Sequence, residues 1–372
     1  MSKLRLSFAA PALLAAASAL ACGSNGTESR NGAPAPSGPS SEAPSGAWTP
    51  PDQPEPGSPV ARFGQLRVDG QKLVGADGTP VQLKGVSTMW LNWEARFAEN
   101  KDGLRWMRDN WNLTVIRAAM GIEPQGAFLQ NPGLAKQQLR TVVQNAIDLG
   151  VYVIVDWHDH NAHLHQSQSV DFFSEIATDF GSFPNVIYEP YNEPLLQDSG
   201  GAMVTWSGTI KPYHEAVLAA IRAADPDNVV LLGNPQWDQR PDQAVADPVA
   251  GTNLMYTVHF YSCTHGASIR VFAQTAFTLG LPLFASEWGA TNADGGKDLK
   301  VCEPEAQAWH DWLDQNGISW SAWRLQSCTN EASCFFSNPA ALPDGSNWTT
   351  QGMLTGHGPF VVQHLQAAPT PL

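Results

Sequence analysis

The chain has 372 residues, a formal net charge of −14 and only 15% charged residues. Phosphate binding needs clustered Lys and Arg, so this balance argues against nucleic acid and for a neutral or small ligand. At 43% hydrophobic the chain can bury a large core, and its fourteen Trp serve either in that core or as faces for flat ligands.

The first element is a targeting segment. Lys3 and Arg5 precede the apolar run LSFAAPALLAAASALA, which ends at Cys22. The run is too short for a transmembrane helix and has signal-peptide form. Ala19-Leu20-Ala21-Cys22 is similar to a bacterial lipoprotein cleavage box, with Cys22 as the lipidation candidate and membrane attachment through its acyl chains. Ordinary secretory cleavage near Ala21 is the rival reading. Residues 23–62 are expected to form a linker, because Pro, Ser, Gly and Ala dominate and too little apolar surface is available to offset ordering entropy. No second folded module is expected beside the main domain, 63–372, which is expected to act as a monomer. Export permits disulfides. Without Cys22 four Cys remain, with three pairings available. Cys328 and Cys334 would close a short loop, leaving Cys263 with Cys302. The absence of CxxC spacing speaks against zinc.

From residue 63 the pattern is regular. GQLRVDGQKLVGADGTPVQLKG reads as a hairpin with Asp77-Gly78 as its turn. Strands follow at 81–87, 113–120, 151–158, 185–193, 228–234, 254–261, 281–289 and 318–325. Between them, 134–150, 170–181, 210–225, 267–280 and 303–317 carry helical periodicity. Eight strands alternating with helices predict an α/β fold, a (β/α)8 TIM barrel. A doubly wound sheet is the structural alternative, weakened by the lack of a glycine-rich phosphate loop.

In such a barrel the site lies at the C-terminal strand ends. Those ends read Arg117, Asp156-Trp157-His158, Asn192-Glu193, His259-Phe260-Tyr261, Glu287-Trp288 and Trp323. Any one could be a satisfied rim residue, but six together point to a site. Glu193 and Glu287 sit in apolar contexts, which can push two carboxyl pKa values apart. Two such Glu across a barrel mouth suit glycoside hydrolysis, one protonating the leaving oxygen and the other attacking the anomeric carbon, at roughly 5 Å separation if configuration is retained. Glu189, four residues before Glu193, falls inside the barrel layer and reads as structural.

LKGVS, VIRAAMG, VIVDWHDH, FPNVIYEPYNEP, TIKPY, YTVHFYSCTHG, FASEWGATNADG and ISWSAW span about residues 65–330. In this order they resemble bacterial cellulases of glycoside hydrolase family 5. The resemblance implies a retaining endo-β-1,4-glucanase with no metal or organic cofactor, acting on cellulose and related β-glucans. It makes Glu193 the acid/base and Glu287 the nucleophile, with Asn192 on the sugar 2-hydroxyl. Arg117 and Tyr261 would hold the nucleophile ionised, His259 would stand by the acid/base, and His158 would wall the −1 subsite. Trp323 would lie under the −1 sugar, with a cis peptide bond after it. Trp206 ahead of TIKPY, with Trp237, would line outer subsites, and Trp93 is a further substrate-contact candidate. The chain departs from the family at Met89-Trp90, where many relatives have a His, and at Cys328, near a Lys position, so contact at −2 is altered.

Three alternatives remain. DWHDHNAHLH (156–165) holds four His and two Asp and could hold a metal, although its spacing matches no zinc pattern. A binding protein without catalysis is a second. The same barrel acting on mannan, xylan, lichenan or xyloglucan is a third.

Overall fold

The computed structural model describes residues 48–336 and 339–367. The signal segment, Cys22 and linker residues 23–47 lie outside them. Ten strands are present among the described residues. β1 (Arg67–Asp69) and β2 (Lys72–Val74) pair antiparallel. β3 (Lys84–Thr88), β4 (Val115–Gly121), β5 (Tyr152–His158), β6 (Val186–Glu189), β7 (Val230–Leu232), β8 (Leu254–Tyr261), β9 (Leu283–Gly289) and β10 (Trp320–Leu325) form a closed parallel barrel in sequence order. The (β/α)8 expectation is met. Among the described residues no helix is long and apolar enough to cross a membrane.

Period-2 alternation sorts the barrel residues into two layers. Ile116, Val153, Val155, Tyr188 and Val258 pack outward against the helices. Val115, Tyr152, Ile154, Ile187 and Met255 fill the barrel and meet Val60, Leu66 and Leu73 from the N-terminal segment and hairpin. The inward set becomes polar toward the C-terminal ends. Val115 gives way to Arg117, Ile154 to Asp156 and His158, and Met255 to Thr257, His259 and Tyr261. All of these polar groups are buried.

Several boundaries differ from expectation. The hairpin turn is Gly70-Gln71, since Asp69 pairs with Lys72; Asp77-Gly78 closes the next turn, where the Gly75 N–H donates to the Thr79 carbonyl at 2.9 Å. β6 ends at Glu189, because Pro190 cannot donate to the ladder. The linker reading is too long by its last fifteen residues or so. Trp48 packs against Phe180 and Phe183 with ring centroids 6.0 and 5.9 Å apart, and its Nε1 donates to Asp148 at 3.1 Å. Glu55 takes two bonds from Arg108, at 2.8 and 3.0 Å, and Pro59–Phe63 is helical behind the cap Ser58. One aromatic anchor and one bidentate ion pair override a tether-like composition. Helices at Lys101–Trp111 and Gly358–Gln366 join the predicted ones. The first buries Leu104, Met107 and Trp111 at helical spacing behind the cap Asn100.

The disulfides are Cys263–Cys302 and Cys328–Cys334, with Cα atoms 5.2 and 5.8 Å apart. They close loops of unequal length, with sequence separations of 39 and 6. Chain entropy then predicts that Cys263→Ser lowers unfolding stability by about 4 kcal/mol and Cys328→Ser by about 2 kcal/mol. Urea titration of the two variants checks the order; an equal loss, or the reverse order, contradicts it.

Candidate active site

Arg117 on β4 is the centre of the site. Its guanidinium is fully buried and holds four side chains within 3.0 Å, with Ser87 Oγ 3.4 Å from Nη1. Nε donates to Glu189 Oε2 at 2.7 Å, Nη1 to Glu287 Oε2 at 2.8 Å, and Nη2 to Asn192 Oδ1 at 2.6 Å, with Asp156 Oδ2 3.0 Å from Nη2. Asp156 also bonds His158 Nδ1 at 2.7 Å. One fork on β4 thereby orients groups from β5, β6, β9 and the loop after β6.

Glu287 reaches this fork through a bulge. Thr257 pairs with Phe284, yet His259 pairs with Glu287, so β9 carries one extra residue. The bulge lets two successive side chains serve the interior. Ser286 Oγ donates to Glu189 Oε1 at 2.6 Å, while Glu287 Oε1 accepts the Tyr261 hydroxyl at 2.5 Å.

Glu193 is delivered by a loop rather than by the strand. Its φ is 51°, left-handed for a residue with a Cβ, and its N–H donates to Asp238 Oδ2 at 2.9 Å. Its Oε1 lies 3.1 Å from His259 Nδ1. His259 Nε2 faces Ser286 Oγ at 2.9 Å. Since the Ser286 hydroxyl donates to Glu189, its oxygen accepts from Nε2–H, which leaves Nδ1 to share one proton with Glu193.

The electrostatics follow. Burial alone would lift Glu189, but Arg117 and His259 outweigh it and bring the carboxyl to about 2. Burial likewise raises Glu193, and the bond and charge of His259 overcome it, so this carboxyl lies below its usual value. Burial and the Glu193 charge push Glu287 up, against Arg117, His259 and Tyr261. The two carboxyls titrate together. With one proton on the Glu193–His259 pair the Glu193 charge is balanced within the pair, and two donors hold Glu287 ionised.

An oxygen of Glu193, an oxygen of Glu287 and a ring nitrogen of His259 all lie within 4.8 Å of one another. The two carboxylates open into a cleft of about 260 Å³, whose walls include Trp90, Trp93, His158, Trp323 and Lys297. A larger cavity of about 430 Å³ lies at the other end of the barrel, beside Lys84 and Thr114; its lining holds a single carboxylate, Asp109. Trp93 is 55% exposed and stacks on Trp90 at 4.7 Å, while Trp323 stacks on His158 at 5.3 Å. The peptide bond after Trp323 is cis. Trp237 is 43% exposed on the loop after β7, and its N–H donates to Pro194 O at 3.0 Å.

One expectation is corrected and one is extended. Trp206 is 3% exposed, with its Nε1 bound to Asp247 O, so it belongs to the core and not to a subsite. Glu189 is inside the barrel as expected, but it links Arg117 to Ser286 and hence to His259. Sequence reading passed over Asp238, Ser286 and Lys297, and it placed Asp156 at a strand end without giving it a role. Only Ser286, next to Glu287 in SEWG, carried a positional signal.

The histidines of 158–165 do not converge on one point. His158 bonds Asp156, His160 lies 3.3 Å from Glu193 O, and His163 and His165 bond Tyr191 and Asp159, each at 2.7 Å. Glu123, Asp159 and His165 offer ligand atoms within 4.8 Å of one another, as do Glu193, His259 and Glu287. The His165–Asp159 bond already joins two of the first set.

Fold and site define a (β/α)8 barrel with paired carboxylates at its mouth. The cellulase model of glycosyl hydrolase family 5 matches residues 74–329, and the chain belongs to that family. An endoglucanase from Clostridium saccharobutylicum is 39% identical over 82% of this chain and 66% of its own length. Endoglucanase Z from Dickeya dadantii is 39% identical over 77% of this chain and 64% of its own. The chain thus spans just under two thirds of each of these relatives. The catalytic domain of a Thermobifida fusca endoglucanase, in a variant solved with cellotetraose, aligns at a TM-score of 0.76 and 29% identity, over 84% of this chain and all of that one.

Proposed function

We propose that the chain is a retaining endo-β-1,4-glucanase. The observation that carries this is the approach of Glu193 and Glu287, with oxygens no more than 4.8 Å apart. Retaining enzymes hold their carboxyls about 5 Å apart, whereas inverting enzymes leave room for a water. The relatives named as endoglucanases and the cellotetraose complex favour a β-1,4-glucan chain as substrate.

Glu287 attacks the anomeric carbon as Glu193 gives its proton to the departing O4, leaving a glycosyl ester on Glu287. Glu193 then removes a proton from water, which attacks the same carbon and releases Glu287. The net configuration is kept. Arg117 and Tyr261 hold Glu287 ionised and aimed. Asn192, fixed through its Oδ1 by Arg117, turns its Nδ2 to the 2-hydroxyl. His259 holds the working proton with Glu193. His158 and Trp323 shape the −1 subsite, Trp90 and Trp93 extend it, and Trp237 meets the sugar on the leaving side. Export through the segment ending at Cys22, with lipid on that Cys, and action as a monomer complete the proposal.

The test is hydrolysis of carboxymethyl-cellulose by wild type and Glu193→Gln, with the product anomer followed by NMR. The β-anomer is expected first, and a loss of about 10²–10⁴-fold in the variant. Initial release of the α-anomer, or an active variant, would overturn the assignment. A substrate panel with mannan and xylan separates the glucan reading from its alternatives.

A further inference from the structure

The loop after β7 carries a carboxylate to which the steps above give no task. Asp238 is fully buried. Its Oδ2 accepts the Glu193 N–H at 2.9 Å, and its Oδ1 accepts the Asn234 N–H at 2.5 Å. Oδ2 also lies 3.6 Å from His259 Nε2. One carboxylate therefore holds the backbone of the acid/base and faces the imidazole that shares its proton.

The backbone around it needs such support. Glu193 has φ 51°, and Gln236, Trp237 and Asp238 have φ 59°, 58° and 59°. Left-handed residues with a Cβ cost about 1–2 kcal/mol each, so packing or hydrogen bonds must impose them. Two bonds lace the loops together: Glu193 N–H to the Asp238 carboxylate, and Trp237 N–H to Pro194 O. Gly233 permits the approach, because a Cβ there would lie 2.2 Å from Tyr191 O.

We propose that Asp238 is a positioning residue for the acid/base. It holds Glu193 in the left-handed conformation that turns its carboxyl into the cleft, and its charge keeps the working proton on the Glu193–His259 pair. This rests on the reading of Glu193 as acid/base. The other groups facing the pair are Glu189 from β6, Glu287 from β9, and Arg117 from β4. Asp156 and His158 face it from β5 and Tyr261 from β8, with His160 and His265 from the loops after β5 and β8. Burial lifts Asp238 to about 6 against His259 and its two N–H donors, so above neutrality it is ionised. A negative charge beside the pair opposes loss of its proton. Removing that charge therefore moves the alkaline limb of activity to lower pH.

Asp238→Asn in the full chain keeps the shape, removes the charge, and turns an amide NH2 toward one of the two N–H groups. On cellotetraose, whose leaving sugar needs a proton, kcat/KM should fall about 10–100-fold. On 2,4-dinitrophenyl β-cellobioside, whose leaving group needs none, it should fall less than about threefold. The alkaline limb should move down by about 0.5–1 pH unit. A merely structural role would lower both substrates alike and leave the limb in place, and either result overturns the proposal. Glu193→Gln is measured beside it. If Glu193→Gln lacks the leaving-group signature, the Glu193 assignment fails; if it alone has the signature, only the Asp238 proposal fails. Near-UV circular dichroism reports folding. If Asp238→Asn does not fold, Asp238→Ser is read in the same assays. Failure of both to fold makes Asp238 a folding residue and ends the proposal.

Discussion

Glu287→Gln is expected to lower kcat on soluble β-1,4-glucan by at least about 10⁴-fold while leaving the fold intact. The amide has nearly the size of the carboxylate, so the cleft keeps its shape. It cannot form the glycosyl ester at a useful rate, and ~10⁴-fold is about 5.5 kcal/mol of barrier. Stability should change little. Arg117 keeps Glu189 and Asp156 as partners, and one buried negative charge facing Glu193 is gone. Initial rates on carboxymethyl-cellulose and a thermal melt check both halves. Residual activity above a few per cent would mean that another group performs the attack.

Arg117→Met is expected to cost folding as well as activity. Arg117, Asp156 and Glu189 have fully buried side chains, and Glu287 nearly so. Burial pushes Asp156 well above its usual value even with Arg117 beside it. Without the guanidinium, Glu189 and Glu287 lose the cation that keeps them charged, and Asn192 loses the donor that fixes it. Removing one partner of a buried ion pair costs about 3–5 kcal/mol. That is a large share of a domain stability of about 5–15 kcal/mol. Urea unfolding should show a markedly lower midpoint, with the remaining folded protein inactive. Arg117→Lys should recover part of the stability and little activity, since one ammonium cannot serve four side chains. An unchanged midpoint for Arg117→Met would show that the carboxyls are neutral without it.

Much of this was legible before the structure. Each barrel strand is a short apolar run bounded by turn residues, and the polar residues at their ends stand out because the rest of each run is apolar. Helices with clear periodicity, such as 134–150, were placed to within two residues, except that the one expected at 170–181 begins at Gln166. The misses share a cause. Trp206 reads like any exposed platform, yet its Nε1 finds Asp247 O across the fold. Residues 48–62 read as tether, yet Trp48 and Glu55 find partners on the barrel. In each case the deciding contact comes from residues distant in sequence.

The same division holds at the site. The chain by itself determined which groups reach the barrel mouth, because a period of two and the parallel order send alternate residues inward and leave the chemistry at the C-terminal ends. It determined the pair Glu193 and Glu287, each isolated in an apolar stretch. The tertiary structure alone decided how they work. The extra residue in β9 lets Ser286 and Glu287 both face inward. Pro190 ends β6 early, and Asp238, 45 residues beyond Glu193, accepts the Glu193 N–H. Arg117 binds acceptors from β5, β6, β9 and the loop after β6 at once. Hydrogen bonds within about 3 Å depend on register and loop closure, and those depend on the whole barrel.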